Sequence, residues 1–242
     1  IYPGEQRIGV PAPPIAVPGF EVWWLETEQG KVEAWWLPGA GVSADRPGPV
    51  VMYFHNGEDF IDDIGSYVSA YRPIGVSVLV AEYRGYGRSE GAPSQEAIMS
   101  DSAAWHERLM ARPEVAPDRV AYQGRALGAA AAIHLAQTKR PQALILESPF
   151  TSMRRLARDR FLPESLVWDS WDNLSVNLEP AVPAAVFHGR SDNEIPHRDG
   201  QRVARHLGAV LHSYESGHDD LPPDREVHHA HIVALLTKAG VL

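Results

Sequence analysis

Residues 121–132 read AYQGRALGAAAA, and the interpretation of the whole chain turns on them. The run Arg119–Tyr122 predicts a buried strand, and the alanine-rich stretch Ala126–Gln137 predicts a helix. Between them, Gly124 and Gly128 bracket Ala126. A strand, a sharp glycine-flanked turn and a helix lift the middle residue to the rim of a sheet, where an enzyme carries a nucleophile. Ala126 has no nucleophilic atom. Three readings stay open: an engineered replacement of serine, a natural loss of the nucleophile, or an active centre that uses a different one. Ser148 is the alternative in view, but it precedes Pro149 instead of opening a helix.

The pattern around this stretch is regular. Glu21–Glu26 and Val32–Leu37 flank Gln29-Gly30 and predict a hairpin. Their four tryptophans, 23, 24, 35 and 36, resemble a carbohydrate platform only superficially. Neighbours on a strand point to opposite faces, so partial burial is expected. From Pro49 onward, short apolar runs alternate with longer helical ones. Val50–Phe54, Val76–Tyr83, Arg119–Tyr122, Ala143–Leu146, Ala184–Phe187 and Val210–Tyr214 predict six further strands. Helices are expected near residues 59–71, 94–110 (with Ser94 as N-cap), 126–137, 199–206 and 224–238. Continuous apolar strands alternating with helices imply an α/β fold, a mostly parallel sheet of about eight strands covered on both faces. Residues 1–19 carry five prolines and predict an extended lead-in, followed by a single domain over 20–242.

Ligand sites in such sheets lie at the carboxyl ends of the strands. The polar clusters fall there: His55-Asn56-Gly57-Glu58, Tyr83 to Ser89, the Ala126 turn, His188 to Asp192, and Ser216 to Asp220. Nucleophilic acyl transfer needs a nucleophile, a base to take its proton and a carboxylate to orient the base. Asp192 and His218 follow the elbow in the order acid, then histidine. Glu147, at the end of the strand after the elbow helix, is the rival acid. The His188-Gly189-x-x-Asp192 spacing before Ile195-Pro196 favours Asp192 and leaves Glu147 a structural hydrogen-bonding role.

These motifs, with Gly91, Pro93-Ser94 and Leu146-Glu147-Ser148-Pro149-Phe150-Thr151-Ser152, resemble the α/β-hydrolase-domain serine hydrolases. The similarity is to the small-capped group of acyl-protein thioesterases and bacterial esterases, over about residues 20–240. The resemblance implies the α/β-hydrolase fold with a minimal cap. It puts Ala126 at the nucleophile position, Asp192 as acid and His218 as base. It makes the Leu127 N–H one oxyanion donor, with Asn56 or Gly57 as the second. It implies hydrolysis of carboxylic esters or thioesters through an acyl-enzyme, with no cofactor and no metal. The partner would be a small ester or acyl thioester, or an acylated protein. A pseudohydrolase that binds an acyl ligand without turnover is the alternative.

A short lid is expected at about 150–176, where Phe150, Met153, Phe161 and Trp168 are candidates for an apolar substrate wall beside Arg154, Arg155, Arg158 and Arg160. His228, His229 and His231 read as a solvated helix face and not as a metal site. The net charge of −9 argues against nucleic-acid binding, and the absence of cysteine excludes disulfides and thiol catalysis. No apolar run is long enough to span a bilayer. Because the chain opens at Ile1, we expect that an upstream segment has been removed; its nature, signal, anchor or neither, is left open by the sequence.

Overall fold

Period-two alternation within fully buried runs organises the molecule. The computed structural model describes residues 2–4 and 17–242, so most of the proline-rich lead-in expected over 1–19 lies outside the described residues. Strands β1 (Glu21–Thr27) and β2 (Gly30–Leu37) form the expected hairpin. They are followed by β3 (Gly48–Phe54), β4 (Ser77–Ala81), β5 (Val115–Arg125), β6 (Ala143–Glu147), β7 (Ala184–Gly189) and β8 (Val210–Tyr214). The eight form one sheet in the order β1-β2-β4-β3-β5-β6-β7-β8. β2 runs antiparallel to both its neighbours, and β3 to β8 are mutually parallel. This is the α/β-hydrolase architecture.

The helices are α1 (Gly65–Val68), α2 (Gln95–Met110), α3 (Leu127–Leu135), α4 (Met153–Asp159), α5 (His197–Leu207) and α6 (Arg225–Lys238). Met52, Phe54, Tyr122 and Leu144 face a core built with Trp105 of α2, the alanines of α3 and Val203 of α5. Their strand neighbours Val51, Tyr53, Ala121 and Ile145 face the other way, against Ile64, Tyr71, and Ile232 and Leu236 of α6. Burial on both faces is why these strands show no polar alternation in the sequence. The Ser94 hydroxyl accepts from the Ala97 N–H at 3.1 Å and caps α2 as expected. Trp23, Trp35 and Trp36 are buried, with Trp23 stacked on Trp36, and only Trp24 is exposed.

One expected element differs. Residues 59–71 do not form a single helix. They break into a 3₁₀ turn at Ile61–Asp63, the four-residue α1, and a second 3₁₀ stretch, Ser69–Ile74. Gly65 is a weak helix former. Pro73 has no N–H and crowds the carbonyl four residues earlier, and Gly75 ends the segment at φ 76°. No helix among the described residues is long and apolar enough to cross a membrane.

The chain adds β4 on one side of β3 and then crosses over to add β5 on the other. Connections leaving β3 and β5 diverge, which opens a crevice at their carboxyl ends. The first turn of α3 packs directly on this point. A Cβ at Gly128 would collide with the Phe54 carbonyl, and one at Gly124 with the Gly128 carbonyl. Gly128→Ala is therefore expected to destabilise the fold by about 1–3 kcal/mol through overpacking, read as a lower urea midpoint with an unchanged slope.

Candidate active site

Ala126 closes β5 and precedes α3 at φ 48°, ψ −105°, a strained conformation for a residue with a side chain. Its N–H donates to the Glu147 carbonyl at 2.9 Å, tying the elbow to β6. Asp192 lies in the loop after β7, and His218 in the loop after β8. His218 Nδ1 is 2.8 Å from Asp192 Oδ2. Asp192 Oδ1 accepts from the N–H groups of Glu194 (3.0 Å) and Ile195 (2.8 Å), and Ser148 Oγ donates to Oδ2 at 3.0 Å. His188 Nε2 lies 3.4 Å from Oδ2, so five donors surround the carboxylate. Burial alone would raise its pKa. The hydrogen bonds from His188, His218 and the Ile195 N–H outweigh that and hold it far below the ordinary 3.8.

With Nδ1 turned to the carboxylate, His218 directs Nε2 to the cavity, where the nearest ionic partner is Glu194 Oε2 at 3.9 Å. The histidine loop is fixed from the elbow itself. Arg125 Nη2 donates to the His218 carbonyl at 2.6 Å, so the residue before Ala126 holds the backbone of His218.

The loop after β3 is held through its carbonyls. Tyr83 Oη donates to the His55 carbonyl (2.7 Å), His55 Nδ1 to that of Asn56 (2.7 Å), and Tyr86 Oη to that of Gly57 (2.9 Å). His55 Nε2 meets Glu82 Oε1 at 2.8 Å, with both side chains fully buried. Burial would lower the His55 pKa, but Glu82 and the Asn56 carbonyl outweigh it and raise it above the ordinary 6.5. Glu82 and the two tyrosines thus do supporting work that the sequence reading left unassigned. Their signal was their position just after β4, on the neighbouring strand. The Gly57 N–H is taken by Asn56 Oδ1 at 2.7 Å. Neither the Asn56 nor the Leu127 N–H has a partner among the described residues.

Asn56, Gly57, Ala126, Leu127 and His218 share the wall of one cavity of about 450 Å³. Of the four apolar residues expected to form its substrate side, Phe150 and Met153 line it. Phe161 and Trp168 do not. They stand in solvent at 97% and 91% exposure, and Leu156, Ala157, Leu162, Leu166 and Val167 take their place. α4 ends at Asp159, so a helical face does not carry beyond it to Phe161 and Trp168. Arg160, Glu58 and Glu194 supply the polar part of the lining.

Glu147 sits behind the elbow, not in the cavity. It accepts from Tyr67 Oη (2.6 Å) and Gln123 Nε2 (2.7 Å) and meets His228 Nε2 at 3.0 Å. Burial pushes its pKa up, and the His228 contact, Tyr67 and Arg125 bring it below the ordinary value. Of the other histidines on α6, His231 packs on His212 and His229 edges onto Tyr71.

No family model matches the chain. It is 32% identical over 183 residues to an uncharacterized protein of Mycobacterium tuberculosis, covering 74% of this chain and 64% of that protein. It is 30% identical over 197 residues to the alpha/beta hydrolase domain-containing protein WAV2 of Arabidopsis thaliana, covering 73% and 63%. The chain therefore spans less than two thirds of the length of these relatives. A thermophilic esterase from the planctomycete Thermogutta terrifontis shares the fold with a TM-score of 0.71 at 17% identity, over 95% of each chain. The relatives, together with the shared fold, support the α/β-hydrolase family for this chain.

The Asp192 carboxylate gives a pH test. Its pKa is depressed on folding, so its stabilisation is complete well above 3.8 and is lost as pH falls through and below that value. Asp192→Asn should cost about 1.5–3 kcal/mol near neutrality, because charge-assisted hydrogen bonds are lost. The difference from the parent should shrink in urea titrations carried stepwise into acid; a difference independent of pH contradicts the assignment.

Proposed function

We propose that this chain is a serine-hydrolase scaffold for carboxylic esters or thioesters whose nucleophile position is held by Ala126. The observation that carries the reading is the 2.8 Å contact between Asp192 and His218, with His218 on the wall of the cavity that the strained residue 126 also lines. With serine at 126, His218 Nε2 would take the hydroxyl proton as Oγ attacks the substrate carbonyl. The Leu127 and Asn56 N–H groups would stabilise the tetrahedral oxyanion, each such donor contributing on the order of a hundred- to a thousand-fold in rate. Asn56 is preferred to Gly57 because the Gly57 N–H already donates to a side chain. Collapse of the intermediate would expel the alcohol or thiol, protonated by His218, and water would then release the acid by the same steps. The α/β-hydrolase relatives and the esterase neighbour support this class of chemistry. The apolar cavity wall from Phe150 to Val167 suits an acyl group, carried by a small molecule or by an acylated protein.

With alanine at 126 the chain should be close to inert, since loss of the nucleophile in a serine hydrolase costs roughly a million-fold in turnover. That same absence favours a second reading, a protein that binds an acyl ligand without turnover. Ala126→Ser separates the two. On the hydrolase reading the variant gains labelling by a fluorophosphonate probe and hydrolysis of short activated esters, and adding His218→Ala abolishes both. A folded Ala126→Ser protein that neither labels nor turns over decides for the binding protein.

A further inference from the structure

Among the described residues, the four most exposed large apolar side chains all fall within eight positions: Phe161 (97%), Leu162 (56%), Leu166 (67%) and Trp168 (91%). The most exposed of them sits on an unusual backbone. Phe161 has φ 59°, in the left-handed region, which is costly for an aromatic residue and here keeps the ring in water. Leu162 and Leu166 also line the cavity that contains Ala126 and His218, so the exposed patch continues into the cavity without a polar break at those two positions. The neighbouring charge has a small positive excess: between Met153 and Asp169 the chain carries Arg154, Arg155, Arg158 and Arg160 against Asp159, Glu164 and Asp169, in a protein of net charge −9. Arg158 pairs with Glu164 at 2.6 Å, whereas Arg154 and Arg160 meet no carboxylate within salt-bridge distance among the described residues.

We propose that residues 161–168 dock this protein on an anionic lipid bilayer, with Phe161 and Trp168 in the headgroup region and the mouth of the cavity facing the acyl chains. Three features favour a bilayer over other occupants. Exposed aromatic rings flanked by arginines match the membrane–water interface, where an apolar body and a polar or cationic margin are both satisfied. Arg154 and Arg160 are exposed without a carboxylate partner among the described residues, and Arg160 lines the cavity beside the patch, so two cations are available to phosphate-bearing headgroups although the whole protein is acidic. The patch is also small. Two aromatic side chains bury about 150–250 Å² each, and with two half-exposed leucines the total falls short of the roughly 800 Å² per partner typical of a stable protein interface. A second copy seated there would also cover the mouth of the cavity, whereas a bilayer could feed it.

The test uses the chain as it is, with Ala126, and reads partitioning instead of turnover, so its outcome does not depend on the hydrolase reading. The protein is sedimented with sucrose-loaded vesicles of phosphatidylcholine alone and of an equimolar mixture with phosphatidylglycerol. The expected result is binding to the mixed vesicles, weakened by salt, and reduced about tenfold or more by either Phe161→Ser or Trp168→Ser, as expected when one large apolar side chain is lost from the interface. Both side chains are nearly fully exposed, so neither change threatens the fold. Trp24→Ser, on edge strand β1, is expected to bind like the parent. No binding to mixed vesicles, or binding that both lid variants leave unchanged, overturns the proposal. Concentration-dependent dimerisation without lipid, abolished by Phe161→Ser, also overturns it and assigns the patch to a second copy of the chain.

Discussion

The first turn of α3 approaches the carboxyl end of β3 more closely than any side chain at 124 or 128 would permit. This contact brings the elbow and the loop 55–57 together, two segments about seventy residues apart in the chain. Moving α3 outward to admit a methyl group would carry residue 126 and the Leu127 N–H away from the Asn56 N–H. The positive φ of Ala126 follows from the same approach, since the chain must leave β5 and enter a helix without a connecting loop. The backbone strain is small beside the burial of the alanine face of α3, which meets the sheet with every residue from Ala129 to Ile133 fully buried.

Around this contact, polar groups are set so that carbonyls are consumed and N–H groups remain. Tyr83, Tyr86 and His55 together occupy three consecutive carbonyls of the loop. The buried Glu82 anchors the assembly by pairing with His55 and accepting from the Ile61 and Tyr83 N–H groups. A His–Glu contact this deep is weak evidence for stability, because desolvation offsets most of whatever attraction it carries. Its effect here is geometric: it fixes the direction in which the loop presents its amides. Arg125 does the same for the other side of the cavity by holding the His218 carbonyl.

Much of this was legible in the residues themselves. Gly124 and Gly128 around a short side chain, between an apolar run and an alanine tract, specify a strand–elbow–helix because few other backbones need glycine at both positions. Asp192 and His218 could be singled out because each follows a short apolar run, and in a parallel sheet such positions gather on one edge whatever their separation in sequence. The buried strands, the hairpin at Gln29-Gly30 and the Ser94 cap are local, so periodicity and capping preference sufficed to find them.

What the sequence alone determined was therefore the class of fold and the cast of polar residues at the strand ends, since both follow from patterns a few residues long. Only the tertiary structure decided which partners those residues take. It gave the Gly57 N–H to a neighbouring side chain, turned Glu147 away into a network with Tyr67, Gln123 and His228, and sent Phe161 and Trp168 into solvent instead of the cavity. Each of these outcomes depends on where a helix stops or which strand lies alongside, and hydrogen bonding and burial between distant segments carry no period that the one-dimensional pattern could record.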